Sequence, residues 1–267
     1  MNETITRSLS GLVYVIILLM ATSYSSSSFF VLFGVFLLIC IYEFCQLIQV
    51  NKLLPLLIGG TSFILGTYYR TNKTNDILIL IITLFVSVKG LLLLFNHKKE
   101  KLDTFSKYLF LAGYIILPFI IITKIPFGIR GFNPKIIISI FILIWTNDTF
   151  AYVVGKSIGK HKLLEKISPK KTVEGFVGGV VFCVIASYLL SKYYIEATPL
   201  IWIIISLIVV VFSTLGDLIE SKFKRMAGVK DSGTIMPGHG GMLDRLDSII
   251  FVAPFIFLFY QILYYVS

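Results

Sequence analysis

Acidic residues recur at helical spacing beside long apolar stretches. Asp217 and Glu220 are i and i+3, Asp217 and Ser221 are i and i+4, and Asp244 and Asp247 are again i and i+3; each set shares one face of a helix. An ionisable group inside an apolar span costs roughly 2.5–3.5 kcal/mol on insertion scales, so it is a functional candidate by default. If Asp217, Asp244 and Asp247 converge, they form an all-oxygen cluster. Hard cations such as Mg²⁺ prefer that, with waters and substrate phosphates completing the shell. A helix dipole favours acids at an N-terminus, but it accounts for one aspartate more easily than for both Asp244 and Asp247. Glu220 reads instead as a solvated helix end balancing Lys224. Asp148 lies in Trp145-Thr146-Asn147-Asp148-Thr149, roughly 10 Å inside its span at ~1.5 Å per residue, as a metal or nucleotide support. No His/Cys set has zinc spacing.

Cations and glycines stand next to these acids. Gly238-His239-Gly240-Gly241 directly precedes the last apolar stretch, close to Lys230 and Asp231. Glycines let backbone N–H groups approach a ligand, and a helix N-terminus suits phosphate. His239, between glycines on a polar loop, reads as a ligand contact. Ser168-Pro169-Lys170-Lys171-Thr172 carries two lysines that serve either as topology signals or to neutralise a phosphate chain. Gly175, Gly178 and Gly179 read as a surface for close helix packing. The set describes a metal-dependent phosphate site at a membrane surface; by residue chemistry alone it is an enzyme acting on a phosphorylated lipid or nucleotide.

The elements that must carry this site are membrane helices. The chain is 57% hydrophobic and 14% charged, against about 45–50% and about 25% in soluble domains. Its apolar residues come in blocks rather than alternating runs, which predicts an all-α polytopic membrane protein. Nine spans are expected, near 8–24, 28–48, 53–70, 76–95, 106–123, 136–155, 174–193, 199–220 and 247–266; only the serine run Ser25–Ser28 separates the first two. The first stretch lacks a clear cleavage site and reads as a retained span. With nine spans, seventeen Lys and Arg fall on the side of the N-terminus and six on the other, with Lys89 inside a span. The positive-inside rule then puts the N-terminus and the loops near 156–173 and 221–246 in the cytoplasm, and the C-terminus outside. Residues 1–135 read as a transmembrane scaffold and 136–267 as the catalytic region, because carboxylates enter the helix ends only from the sixth span onward, Glu43 excepted. The net charge of +10 fits basic loops facing anionic lipid, and no nucleic-acid module is legible. Cys40, Cys45 and Cys183 sit in apolar segments without CxxC spacing. A cation-coupled transporter is the rival from another class, but its acids would sit at the midplane of repeated halves.

The stretch Ser221–Asp247 resembles the signature of phosphatidate cytidylyltransferases. It meets that pattern at Ser221, Phe223, Lys224, Arg225, Lys230, Asp231, Pro237, His239, Gly240, Gly241, Met242, Asp244, Arg245, Leu246 and Asp247. NDTFAYVVGK in the sixth span and SPKKTVEG also look like family features, so the likeness covers about residues 140–255. The resemblance implies a multi-pass, dimeric enzyme of the cell membrane, with its site on the cytoplasmic face. It would convert CTP and phosphatidic acid to CDP-diacylglycerol and pyrophosphate, with Mg²⁺ and with K⁺ as a candidate second ion. On that reading Asp217, Asp244 and Asp247 are the metal ligands. Lys230 and Asp231 join the three aspartates as catalytic residues, and Lys170, Lys171, Lys230, His239, Gly240 and Gly241 serve the nucleotide. Ser221, Lys224 and Arg225 hold the lipid phosphate, and Asp148 supports the metal or the nucleotide. Polyprenol or phytol kinases and a CDP-archaeol synthase are the related alternatives.

Overall fold

A computed structural model describes residues 3–68, 72–96, 102–128 and 131–266. Helices dominate: α1 (Glu3–Tyr24), α2 (Ser26–Ile48), α3 (Leu53–Tyr68), α4 (Lys73–Phe95), α5 (Thr104–Phe110), α6 (Leu117–Lys124), α7 (Pro134–Ile158), α8 (Val173–Leu190), α9 (Pro199–Ala227) and α10 (Leu243–Val266). A π-helical stretch, Leu111–Ile116, joins α5 to α6 into one rod, and a second, Ser191–Ile195, extends α8. Eight of the described helical rods are long and apolar enough to cross a membrane. The serine run does divide the first two: Ser25 and Ser28 form a reciprocal capping box, satisfying two of the amide donors that every helix start leaves open.

The third expected span is a 16-residue helix, only about 24 Å long at 1.5 Å per residue. Its contacts nevertheless carry it from one end of the bundle to the other. Beside its start, the Lys52 ammonium stands 4.0 Å from the Tyr42 ring at the end of α2. At its far end the Gly66 carbonyl accepts from Lys124 Nζ at 3.1 Å; that lysine also pairs with Asp76 at 2.9 Å. Eight of the nine expected spans are thus long enough to cross, and the third is a shorter apolar helix packed among them. The first turns of α1, the end of α2 and the α7–α8 and α9–α10 connections gather at one end. Of the charges used for topology, Arg70, Lys98, Lys99, Lys101 and Arg130 lie outside the described residues.

The connections add two features that the helical pattern does not predict. Phe127–Gly128 pairs with Gly131–Phe132 as a small hairpin at the far end, and Lys162–Leu164 pairs with Ser168–Thr172 at the site end. In addition, α9 runs seven residues past the expected boundary, to Gly228 in the left-handed conformation. Its extra turns place Asp217, Glu220, Ser221 and Lys224 along one face.

Glycines set how closely the rods approach. A Cβ on Gly178 would meet Val154 at 2.6 Å, and one on Gly175 would meet the Ala151 carbonyl at 2.5 Å; α7 and α8 pack closely there, as the packing reading of these glycines requires. Gly216 does the same for α9 and α10, since a Cβ would lie 2.7 Å from Phe251 Cβ and 2.9 Å from the Asp247 carbonyl. Gly216→Ala is therefore expected to separate the helices that carry the acids. A loss of about 1–3 kcal/mol, read as a lower unfolding midpoint together with lower activity, checks this.

Candidate active site

Asp217 and Glu220 project from the polar end of α9, and Asp247 from the first turns of α10. One carboxylate oxygen from each lies within 4.8 Å of the others. Within the protein Glu220 is 1% and Asp247 7% exposed, and Asp217 is half-buried. Glu220 is therefore not the solvated helix end that its sequence context suggests. It is buried with its partner Lys224.

Two lysines stand against these acids. Lys171 Nζ pairs with Asp217 Oδ2 at 2.6 Å, and Lys224 pairs with both Glu220 and Asp244 Oδ1, the latter at 2.6 Å. Strand alternation explains why Lys171 and not Lys170 reaches the acids, since neighbours on Ser168–Thr172 point to opposite faces and Lys170 is exposed. Ser221 donates to Asp217 Oδ1 at 3.2 Å. Asp148 lies within the electrostatic reach of Asp217, Lys171 and Arg245. Five carboxylates, Asp148, Asp217, Glu220, Asp244 and Asp247, thus stand against three cations, Lys171, Lys224 and Arg245, so the pocket is short of positive charge.

Asp244 has a different position from the other two aspartates of the expected triad. Its Oδ2 accepts from Ser232 N and Ser232 Oγ, both at 2.9 Å, and from Gly241 N at 2.7 Å. Its Oδ1 is taken by Lys224. It ties the glycine loop to the helix start, while Glu220 takes the third place in the acidic group.

Glu43, from the middle of the chain's first half, is the site residue that sequence reasoning passed over. Its carboxylate accepts from Met242 N at 3.0 Å and Leu243 N at 2.8 Å, and at 3.3 Å it shares the Ser232 hydroxyl proton with the nearer Asp244. It is 1% exposed and caps α10 from another helix. The available signal was a glutamate alone in an apolar span, the situation that marks function by default. The glycine at 241 is required by this contact, because a Cβ there would lie 2.6 Å from Glu43 Oε2. Gly240 has φ +86, the region that side chains disfavour.

Below the acids, in the π-helical stretch, the buried Tyr114 hydroxyl has no hydrogen-bond partner, and neither does Glu220 Oε1. Buried polar atoms are normally satisfied, so each such orphan asks for a water or an ion. Three hard oxygen donors, excess negative charge and orphaned atoms together fit a divalent cation of the Mg²⁺ class.

Outside the bundle, the α9–α10 loop encloses a cleft of about 500 Å³. Lys230, Asp231, His239 and Gly240 line it with Arg245. Partial burial, with Arg245 and Arg7 nearby, holds the His239 imidazole below its usual pKa. Arg225 turns away from the cleft to donate to the Val229 carbonyl at 3.1 Å.

The model of the cytidylyltransferase family matches residues 5–263, nearly the whole chain. The chain belongs to the cytidylyltransferase family. Several relatives are named phosphatidate cytidylyltransferase. The protein of that name from Staphylococcus aureus (strain COL) is 52% identical over 120 residues, 44% of this chain and 46% of the relative. The one from Staphylococcus epidermidis is 47% identical over 127 residues, 47% and 48% of the two chains. The matched stretch spans about half the length of these curated relatives.

Proposed function

We propose that this cytidylyltransferase-family protein is a phosphatidate cytidylyltransferase, forming CDP-diacylglycerol and pyrophosphate from CTP and phosphatidic acid. The observation that carries the reading is the meeting of Asp217, Glu220 and Asp247 with Lys171 and Lys224 at the membrane end of the bundle, beside a cationic, glycine-lined cleft. The names of its relatives point the same way.

An oxygen of the phosphatidate phosphate attacks the α-phosphorus of CTP in line. The new P–O bond forms as the bond to the β-phosphate breaks, and pyrophosphate leaves with the electron pair. The lipid phosphate is already anionic, so the obstacle is the meeting of two anions rather than the removal of a proton. Fixed cations lower that barrier. Lys170, Lys171 and Lys230, with the Gly240–Gly241 backbone, hold the triphosphate. Ser221, Lys224 and Arg225 lie at the level of the lipid headgroup and receive the phosphatidate. Asp217, Glu220 and Asp247 would hold Mg²⁺, with Asp244 setting the loop beside them and K⁺ as the second-ion candidate; the bound metal supplies charge neutralisation and orientation of the leaving group. Asp148 supports the ligands from α7, and Asp231 and His239 border the nucleotide.

The reacting groups come from residues 136–267, on a scaffold formed by 1–135. The excess of Lys and Arg places the site end in the cytoplasm of a cell-membrane protein, with the C-terminus outside, and a homodimer is expected in detergent on sizing with light scattering. Purified protein supplied with CTP, phosphatidic acid and Mg²⁺ is expected to release pyrophosphate only when all three are present, with CDP-diacylglycerol as the lipid product. Pyrophosphate release that continues without phosphatidic acid sinks the reading.

A further inference from the structure

The first helix, which the sequence assigns to the scaffold, forms a wall of the cleft. Arg7 lines it, together with Lys230 and Arg245. One turn on, Ser10 Oγ lies 2.8 Å from His239 Nδ1 and 2.9 Å from the Pro237 carbonyl. That carbonyl is an acceptor only, so when the single hydroxyl proton goes to it, the His239 Nδ1–H donates to Ser10. The contact is close on both sides. A Cβ on Gly11 would stand 3.2 Å from His239 Cε1, and one on Gly238, where φ is +75, would stand 2.7 Å from Arg7 Cγ.

From these contacts we infer that Arg7 binds the phosphate chain of the nucleotide, and that Ser10 is a positioning residue that holds His239 at the edge of the same cleft. The inference rests on the cytidylyltransferase reading and adds the N-terminal helix to its substrate site. Three observations carry it. Arg7, Lys230 and Arg245 face one carboxylate, Asp231, so the cleft prefers a polyanion. Met236 is the one apolar side chain among the described lining residues, and the polar side chains around it suit a water-soluble ligand. The volume of about 500 Å³ is in the usual range for a small-molecule site, about 300–1,000 Å³. A guanidinium meets phosphate oxygens with two parallel N–H donors, which an ammonium cannot reproduce.

The test compares the full-length wild type with Arg7→Gln, Arg7→Lys and Ser10→Ala. It measures equilibrium binding of inorganic tripolyphosphate and of Mg²⁺–CTP, then KM for CTP and for phosphatidic acid. Arg7→Gln is expected to weaken tripolyphosphate and CTP binding about tenfold or more, with an unchanged KM for phosphatidic acid. Arg7→Lys recovers part of the loss. Ser10→Ala raises the KM for CTP by a smaller factor and leaves kcat near that of wild type. Unchanged tripolyphosphate and CTP affinity in Arg7→Gln overturns the inference, and so does a rise confined to the KM for phosphatidic acid, which would give Arg7 to the lipid headgroup. If the wild type binds tripolyphosphate through Arg7 but does not turn over CTP, the cytidylyltransferase reading fails and the anion cleft stands.

Discussion

Asp247→Asn is expected to lower turnover by about 10²–10³-fold while leaving the metal-free protein at least as stable as the wild type. The carboxylate does little for the fold. Its one hydrogen bond is from the next amide, Ser248 N, at 2.7 Å, and an asparagine oxygen accepts that equally well. It also shares a space within 4.8 Å with Asp217 and Glu220. Carboxylates that close disfavour one another's charge, and Lys224 and Lys171 offset only part of this. Neutralising Asp247 relieves the repulsion and removes a metal ligand in one step. Asp244→Asn gives the opposite pattern: its oxygens hold Lys224, Ser232 and Gly241, so the variant loses stability along with activity. Turnover against Mg²⁺ concentration, beside thermal unfolding in chelator, separates the two. Near-wild-type turnover of Asp247→Asn at limiting Mg²⁺ would end the assignment of this aspartate as a ligand.

The second large effect is at Glu43. Glu43→Ala is expected to cost about 2–6 kcal/mol, from two buried amides that lose their acceptor. The amides of Met242 and Leu243 would be left buried without acceptors, each worth about 1–3 kcal/mol. Glu43→Gln keeps the volume and one acceptor oxygen, but its amide group faces donors where the carboxylate accepted. A smaller loss of roughly 1–3 kcal/mol is expected for it. Because Glu43 also holds Ser232, which in turn holds Asp244, the folded fraction of Glu43→Gln should still be slow. Unfolding midpoints, with turnover measured well below them, check both expectations. A glutamine variant that melts lower yet turns over at the wild-type rate would reduce Glu43 to a purely structural cap.

Much of this was legible in the chain. Each of the nine apolar blocks is a helix, eight of them long enough to cross a membrane, because the bilayer allows little besides helix. Asp217 and Asp247 stood out because carboxylates are rare at membrane depth. The extension of α9 to Ala227 was hidden, because Lys222, Lys224 and Arg225 resemble a loop once the apolar run ends at Glu220. Helical periodicity in a polar segment competes with that reading, and here the helix continues. The hairpin at Lys162–Thr172 was hidden too, its strands being too short to show an alternating pattern.

Local pattern determined the class of protein, the apolar helices and the residue types of the site, because each follows from chain-local hydropathy and spacing. Which acids meet was decided by tertiary structure. The pairing of Lys171 with Asp217, the exchange of Asp244 for Glu220 in the acidic group, and the arrival of Glu43, Ser10 and Arg7 at a loop some 190 to 230 residues away all depend on how the helices pack. That packing is set by glycine contacts such as Gly216 against Asp247 and Phe251, and no spacing within a single helix encodes the distance between two of them.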